Sequence, residues 1–254
     1  MCYRIAIILS VVLAPISQAY AALFTDDTST TDKGHFELEY WVDYYKDTQY
    51  NYEDDYKTRT RETQFSLYIL YGLTDNWDIG ITIPYGYINY DREIKTNGFM
   101  DMDIETKYRL FEETNLLPSL AIYLDFITDS ANEDKSLGSG DQDIWLNGIL
   151  SKTLKENLWL DLNLGYYFTG GKASDDVFIY CLGLTQGFGE RLYIYAELYG
   201  EAEFEKSFND NVCLGALSIG YEVNPRLFIK HGAAAGISDG ANDLQISSRI
   251  GWSF

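Results

Sequence analysis

The stretch DMDIETKYRL, residues 101–110, alternates charged and uncharged side chains without a break. Its odd-numbered side chains are all ionised, namely Asp101, Asp103, Glu105, Lys107 and Arg109. Its even-numbered side chains are apolar or neutral. Successive side chains of a β-strand point to opposite faces, so the stretch predicts a strand with one apolar face and one charged face.

The same alternation recurs along most of the chain, and no interior stretch keeps a helical period. It is clearest in the stretches that begin at Phe36, Phe65, Trp77, Leu158 and Leu192. Weaker versions lie near 116–128, 142–152, 176–187, 211–223 and 226–237. We count about twelve strands of roughly ten residues each, the length that a tilted membrane-spanning strand needs. Short connections alternate with longer polar ones, which is typical of outer-membrane barrels.

The end of the chain, LQISSRIGWSF (244–254), continues the alternation up to the terminal Phe254. Backbone polar groups cannot stay unpaired in bilayer hydrocarbon, so a membrane sheet must close on itself. We therefore expect the last strand to pair with the first, HFELEYWVDYY (35–45), and to close a single all-β antiparallel transmembrane barrel. Aromatic residues at the ends of the apolar faces favour this barrel over a soluble β-sandwich or lipocalin-like barrel, whose apolar faces would point inward.

The N-terminus is predicted to be a secretory signal peptide, residues 1–21. Arg4 precedes an apolar run at 5–13, and Ala19-Tyr20-Ala21 offers a cleavage site. The barrel domain is expected to span 22–254, with 22–34 as a periplasmic N-terminal segment, although the sequence leaves open whether this segment plugs the pore. The formal net charge of −20 argues against nucleic acid as a partner, because phosphate binding requires clustered Lys and Arg.

The sequence resembles the outer-membrane barrel family described as taking part in the meta-pathway of phenol degradation. The resemblance is carried by DMDIETKYRL together with FTDDTSTTDKGHFELEY (24–40), YGLTDNWDIGITIPY (71–85), LGSGDQDIWLNGILSKTL (137–154) and GISDGANDLQISSRIGWSF (236–254). It implies a bacterial outer-membrane location and passive passage of small molecules, aromatic or hydrophobic ones among them, without catalysis. It also implies that Ile250, Trp252 and Phe254 form the signal that the barrel-assembly machinery reads.

The polar faces are expected to line the lumen of the barrel. The predicted pore-lining residues are Glu37, Glu39, Asp101, Asp103, Glu105, Lys107, Arg109, Asp161, Glu197, Glu201, Lys230 and Arg249. Residues two apart on a strand are separated by about 6.6–6.8 Å, so one ion cannot bind Asp101, Asp103 and Glu105 together without further ligands. We therefore expect an ionic wall without metal or cofactor, and its acidic excess predicts a preference for cations or neutral solutes over anions.

Three cations near the start of the second strand suggest contact with lipopolysaccharide. Lys57, Arg59 and Arg61 share the outward side of Phe65 and Leu67, where lipopolysaccharide phosphates would lie. The alternative is a solvated loop. The partners we expect are thus outer-membrane lipid and lipopolysaccharide, the barrel-assembly machinery and a small-molecule solute.

Two other functions stay open at this point. A structural or adhesive barrel would have a plugged lumen that passes no solute. An outer-membrane lipid-modifying enzyme would use His231 as a base, with Ser218 or Ser248 as the nucleophile, although no lipase-type motif surrounds His231.

Two further residue types lead to structural expectations. Cys181 and Cys213 are expected to be free thiols, because a third strand separates the two that carry them. Pro84 interrupts a strand that a closed barrel should pair on both sides, and it is expected to mark a local bulge.

Overall fold

The structure is a computed structural model that describes residues 22–51, 56–90, 94–171, 176–203 and 206–254. The side chains of 49–58 and 94 are outside this description. No helix among the described residues is long and apolar enough to cross a membrane. The helical structure described is a single 3-10 turn at Glu133–Lys135.

The described residues form antiparallel β-strands over most of their length. The strands are β1 (Phe36–Asn51), β2 (Tyr56–Thr74), β3 (Trp77–Tyr90), β4 (Ile94–Phe99), β5 (Asp103–Phe111), β6 (Ser119–Ile127), β7 (Asp143–Lys155), β8 (Leu158–Phe168), β9 (Val177–Phe188), β10 (Leu192–Ala202), β11 (Val212–Asn224), β12 (Leu227–Gly236) and β13 (Leu244–Ser253). They belong to one sheet in which β2 pairs with both β1 and β3. The sheet therefore closes into a barrel, as the sequence predicted.

The two ends of the chain form the closing seam. β1 pairs with β13, and Leu38 lies opposite Trp252 in this register. Phe36 N donates to Phe254 O at 3.4 Å, and Phe254 N donates to Phe36 O at 2.9 Å. The alternation thus continues to the last residue because that residue still belongs to the ladder that seals the barrel.

An interruption opposite Pro84 accounts for the thirteenth strand. β5 pairs with the first part of β3, and β4 pairs with its second part, so the two share one place in a ring of twelve strands. Pro84 O accepts from Met100 N at 3.0 Å, and Met100 lies in the connection between β4 and β5. The expected irregularity at Pro84 lies on one side of β3 only: Pro84 stays in register with Ser66 of β2, whereas on the other side residues 83–84 face the three residues 100–102. Since proline has no N–H to donate, the neighbouring chain breaks instead.

The apolar faces of the strands point outward. Ile79, Ile104 and Ile122 are 41–44% exposed on three neighbouring strands, whereas Asp78 and Asn147 are at most 2% exposed on the inner side. A soluble protein rarely exposes an apolar surface of this extent. The barrel therefore has a lipid-facing exterior and a polar interior, which confirms the predicted orientation and excludes the soluble alternatives.

Aromatic side chains surround the barrel near the short connections. Exposed aromatic residues of this region include Phe36, Trp77, Tyr108, Tyr221, Trp252 and Phe254. Tyrosine and tryptophan favour the boundary between hydrocarbon and head groups, because one end of each ring system is polar. This ring marks one edge of the membrane-spanning band, and the three residues of the expected assembly signal lie within or beside it.

Candidate functional site

The residues that precede β1 fold back into the barrel. The side chains of Ala22, Leu23, Thr25, Asp27, Thr28 and Thr31 are only 3–8% exposed. We call residues 22–31 the inner segment. Residues 32–35, by contrast, are exposed next to the start of β1. The expectation that all of 22–34 forms a periplasmic segment therefore needs correction, since residues 22–31 lie inside the barrel. The polar groups of the inner segment can be buried there because the barrel wall supplies their hydrogen-bond partners.

Glu197 of β10 holds the tip of the inner segment. Its carboxylate accepts from Leu23 N and Thr25 N at 2.8 Å and from Phe24 N at 2.9 Å. A buried carboxylate is costly unless hydrogen bonds compensate it, and three backbone donors do so here. Glu197, which the sequence predicted to line the pore, therefore binds the chain's own backbone.

Asp26 connects the inner segment to two parts of the wall that lie three places apart in the ring of twelve strands. Its backbone N donates to Asn163 Oδ1 of β8 at 2.7 Å, and Asn163 Nδ2 donates back to Asp26 O at 2.8 Å. Its carboxylate forms a salt bridge of 3.0 Å with Lys107 Nζ of β5. Lys107 also donates to Asp27 O at 3.2 Å. The inner segment is thus bound to both β8 and β5 at this point.

Arg249 of β13 holds the same tip from another side. Its guanidinium donates to Ala22 O at 3.2 Å and to Leu23 O at 2.7 Å. The guanidinium carbon lies 4.4 Å from the centroid of the Trp41 ring, a distance at which cation–π attraction is expected. This cation therefore has partners inside the protein on two sides.

The inner segment enters the barrel at the end with the short connections. Thr30 Oγ1 donates to Asp75 O of the β2–β3 turn at 2.9 Å, and Thr31 N donates to Asp78 Oδ2 at 3.1 Å. Further in, Thr28 N donates to Ser151 Oγ at 3.1 Å. The segment therefore enters between the ends of β2, β3 and β7 and reaches the middle of the wall at Glu197.

Three wall glycines leave room for the inner segment. A Cβ built on Gly183 would lie 2.9 Å from Thr25, whereas one built on Gly232 would lie 2.3 Å from Ser218 Cβ of the wall and 2.9 Å from Leu23 Cδ1. A Cβ on Gly72 would lie 2.2 Å from Asp32 O, just outside the segment. A larger residue at Gly183 would collide with the inner segment, one at Gly72 with the chain at Thr31 and Asp32, and one at Gly232 with the wall as well as with Leu23. The wall sequence is thus adapted to that chain.

A cavity of about 690 Å³ lies beside the inner segment and extends towards Gly240 and Asn242 of the β12–β13 connection. Its carboxylates belong to Asp26, Glu39, Asp43, Asp78, Asp103, Glu105, Asp125 and Glu201, and its basic side chains are Lys107, Lys230 and Arg249. Its aromatic side chains are Phe24, Trp41, Tyr45, Tyr68, Tyr123, Trp145, Tyr199 and Phe228. The cavity is therefore acidic, and aromatic rings form part of its wall.

Tyrosine hydroxyls orient several of the lumen carboxylates. Glu105 accepts from Tyr68 OH through one oxygen and from Tyr123 OH through the other, the latter at 2.7 Å. Glu201 accepts from Tyr199 OH in the same way. These bonds fix the carboxylates in place beside the aromatic rings that line the cavity.

Seven of the predicted pore-lining residues line this cavity, namely Glu39, Asp103, Glu105, Lys107, Glu201, Lys230 and Arg249. Glu37 lies two residues before Glu39, on the same side of β1. Asp161 lines a smaller cavity of about 180 Å³, together with Asp27, Thr28 and Glu113.

Partial burial raises the pKa of Glu113, but hydrogen bonds from Lys152 and Thr153 outweigh this effect and keep the pKa below its ordinary value.

Asp101 and Arg109 have contacts outside the main cavity. Asp101 accepts from Ser130 N and Ala131 N at 2.8 Å, so it organises the β6–β7 connection. Arg109 donates to Asp75 O at 2.8 Å in the β2–β3 turn. The expectation that these two residues line the pore needs correction. β5 begins only at Asp103 and has nearly ended at Arg109, and strand parity alone does not reveal such limits.

The aromatic residues of the lumen were missed as candidate site residues. Trp41, Tyr68, Tyr123 and Trp145 all lie on the inner side of their strands and line the cavity. Their shared parity with the charged residues was the available signal. The predicted pore-lining set contained only charged residues and therefore did not include these rings.

Of the residues considered for lipid hydrolysis, His231 and Ser248 share the outward face of the barrel, whereas Ser218 lies on the inner face. His231 Nδ1 is 2.8 Å from Ser248 Oγ, but His231 is exposed on the outward side of β12. Ser218 is buried on the inner side of β11.

Of the three residues expected to contact lipopolysaccharide, Arg59 and Arg61 are exposed near the long-connection end of β2, and the Lys57 side chain lies outside the described residues.

The described residues form neither a metal-binding group nor a disulfide. Among the described residues, no three His, Cys, Asp or Glu side chains are arranged to hold a metal ion. Cys181 of β9 and Cys213 of β11 are buried and free, with β10 between their strands. The expectation of free thiols is therefore confirmed.

Comparisons with known proteins agree with this architecture. A family model described as "Putative MetA-pathway of phenol degradation" matches residues 22–254. The COG4313 outer membrane channel from Pseudomonas putida F1 is 14% identical with a TM-score of 0.72, over 90% of this chain and 98% of that chain. The KdgM porin is 10% identical with a TM-score of 0.57, over 86% and 99%. At such identities the likeness concerns the fold, and no curated protein matches the sequence.

Proposed function

The chain belongs to the family whose model spans residues 22–254, and on that premise we propose that it is a passive outer-membrane channel for small molecules. The observation that carries the proposal is a polar cavity of about 690 Å³ inside a closed barrel with an apolar exterior. Such a barrel lies in the bacterial outer membrane, where a lumen is the natural path for a solute. We assign no reaction and no cofactor to it.

The lumen supports selection by charge and by aromatic contact. Carboxylates outnumber basic side chains around the cavity, and rings of tyrosine and tryptophan lie between them. Rings of charged side chains set the sign of the ions that a pore admits. We infer that cations and neutral solutes, including aromatic or hydrophobic ones, pass more readily than anions.

The inner segment stands in the path between the cavity and the end with the short connections. Its attachments are hydrogen bonds and the Asp26–Lys107 salt bridge, all of them reversible. Passage of a solute therefore requires residues 22–31 to shift within the lumen or to leave it. This makes the segment the part of the molecule that decides between a channel and a plugged barrel.

Planar-bilayer recordings of the refolded chain test this function. We expect discrete conductance steps from the protein with its inner segment, and larger steps from a variant that lacks residues 22–31. Liposome swelling with neutral sugars of graded size should give the same order of permeability. If neither protein conducts ions or admits any sugar, the structural or adhesive barrel is the correct function.

We also propose that Arg59 and Arg61 contact lipopolysaccharide phosphates at the long-connection end. Both are exposed on β2, on the side that carries the outward apolar residues. Charge-assisted hydrogen bonds from guanidinium groups to phosphate are strong and directional. The double variant Arg59→Gln, Arg61→Gln should retain less lipopolysaccharide during purification than Arg226→Gln, which lies in the β11–β12 turn at the other end; equal retention would contradict the contact.

A further inference from the structure

We propose that the lumen cavity has a binding site for small organic ammonium ions, on the wall formed by β5, β6 and β7. This inference rests on the proposed channel function and names the solute class that the channel would favour. The ligand is a primary amine in its protonated form, with an aromatic or aliphatic body small enough for a cavity of about 690 Å³.

Buried acceptors without partners point to such a ligand. On β3, β5, β6 and β7, the buried side-chain nitrogen and oxygen atoms of the described residues that lack a hydrogen bond are three acceptors and one donor: Asp78 Oδ1, Asp125 Oδ1, Asn147 Oδ1 and Trp145 Nε1. All four residues line the cavity. Asp125 and Asn147 are 7% and 2% exposed, so water reaches these side chains poorly. An ammonium group carries three N–H donors and no acceptor, which complements this excess of acceptors.

The charge of the same wall also calls for a cation. Glu105 lies directly opposite Asp125 in the β5–β6 ladder. Like charges at such positions repel each other, because their Cβ atoms are only about 4.5–5.5 Å apart. Tyr68 and Tyr123 hold both oxygens of Glu105 in place, which prevents the carboxylate from turning away. A cation between the two carboxylates would convert this repulsion into attraction.

The rings beside these carboxylates suit an organic rather than a hydrated inorganic cation. Tyr123 and Trp145 meet edge to face, with their centroids 5.2 Å apart. Trp145 is also the register partner of Asp125, which places the indole next to the carboxylate. Ammonium groups are attracted to the faces of such rings, and the body of an organic cation gains apolar contact there.

The protein's own cations are engaged elsewhere. Lys107 is paired with Asp26, and Arg249 stacks on Trp41 while it donates to two backbone carbonyls. Lys230 Nζ lies 4.7 Å from the centroid of the Tyr195 ring. β12, which carries Lys230, is six places from β6 in the ring of twelve strands and therefore on the opposite wall. On β5 the basic side chain nearest to Glu105 is thus Lys107, two residues away on the same face, and its salt bridge with Asp26 already engages it.

Isothermal titration of the detergent-folded full chain with three ligands of one skeleton tests the site. The ligands are 2-phenylethylammonium, 2-phenylethanol and phenylacetate. We expect the ammonium ion to bind at least about ten-fold more tightly than the alcohol, and phenylacetate to bind more weakly than either. An alcohol that binds as tightly as the ammonium ion, or a carboxylate that binds best, would overturn the proposal.

Variants separate charge recognition from general damage. Glu105→Gln combined with Asp125→Asn should weaken ammonium binding by about five-fold or more and change alcohol binding by less than about two-fold. Glu156→Gln, in the β7–β8 turn outside the lumen, is the matched control and should bind like the unmodified chain. If the double variant does not fold, Asn147→Leu removes one unpartnered acceptor without altering any charge and should also weaken ammonium binding. Unchanged ammonium binding in these variants would refute the site.

The outcome is separable from that of the channel function. Liposomes that leak neutral sugars but whose protein shows no preference for the ammonium ion would refute the site and leave the channel intact. Selective ammonium binding by a barrel that passes no solute would retain the site and refute the channel.

Discussion

Lys107 Nζ lies 3.0 Å from Asp26 Oδ2, so a strand of the barrel wall forms a salt bridge with the chain that occupies the lumen. The two side chains are 12% and 28% exposed, which limits screening by water. Removing one partner of a buried pair leaves an uncompensated charge and costs more than the pair itself contributes. The position of the inner segment should therefore respond to changes at either residue.

Lys107→Met should loosen the inner segment. We expect the segment to lose about 1–3 kcal/mol of attachment, less than for a fully buried pair because both side chains are partly solvated. The variant should show more frequent high-conductance steps in planar bilayers. Lys152→Met is the control, since Lys152 pairs with Glu113 at the short-connection end rather than with the segment. Identical recordings from the two variants would mean that the Asp26 salt bridge does not hold the segment.

Gly183→Ala should displace the segment by steric conflict. The three atoms nearest to its new Cβ all belong to Thr25, at 2.9–3.0 Å, so the conflict should fall on the inner segment rather than on the wall. Hydrogen exchange of the amides of Leu23, Phe24 and Thr25 should accelerate, because they would separate from Glu197. Gly187→Ala, on the same face of β9 but with its nearest neighbour at 3.4 Å, should leave exchange unchanged. Adding Thr25→Gly to Gly183→Ala should restore slow exchange, and failure of this rescue would contradict the packing argument.

The acidic cavity should make the channel cation-selective. In a potassium chloride gradient, the reversal potential should have the sign expected for potassium passage. Asp103→Asn should move this potential towards zero, because the residue lines the cavity and carries one of its negative charges. Asp239→Asn, in the exposed β12–β13 connection, serves as the control. Anion selectivity in the unmodified chain would show that the counted charges do not govern permeation.

Deletion of Phe254 should impair assembly of the barrel. The residue exchanges two backbone hydrogen bonds with Phe36 at the seam, and its ring is exposed beside Trp252. The fraction of folded barrel, read from heat-dependent gel mobility, should fall in cells for the deletion and stay near normal for Phe254→Tyr. Refolding of both proteins in detergent distinguishes a signal read by the assembly machinery from a purely structural contribution. A deletion that folds normally in both settings would contradict both roles.

The strands and their faces were predictable because alternation is a local property. Each residue of a strand turns its side chain to the opposite face, so DMDIETKYRL revealed one charged side and one apolar side without reference to the rest of the chain. The seam was predictable for a different reason: a strand that ends at Phe254 needs a partner, and closure supplies it. The residues at which strands begin and end were harder to predict from the sequence. Asp101 shares the parity of Asp103, yet it lies just before β5 and organises a connection.

By itself, the sequence determined a closed barrel with an apolar exterior, an acidic interior and a seam between its first and last strands. The tertiary structure alone decided where residues 22–31 lie. Their partners, among them Asp78, Lys107, Asn163, Glu197 and Arg249, come from strands far apart in the chain and meet only when the barrel closes. Because residues 22–31 show no periodicity, their sequence does not indicate which strands they contact. The cavity beside them could not be predicted either, because its shape depends on where this segment lies.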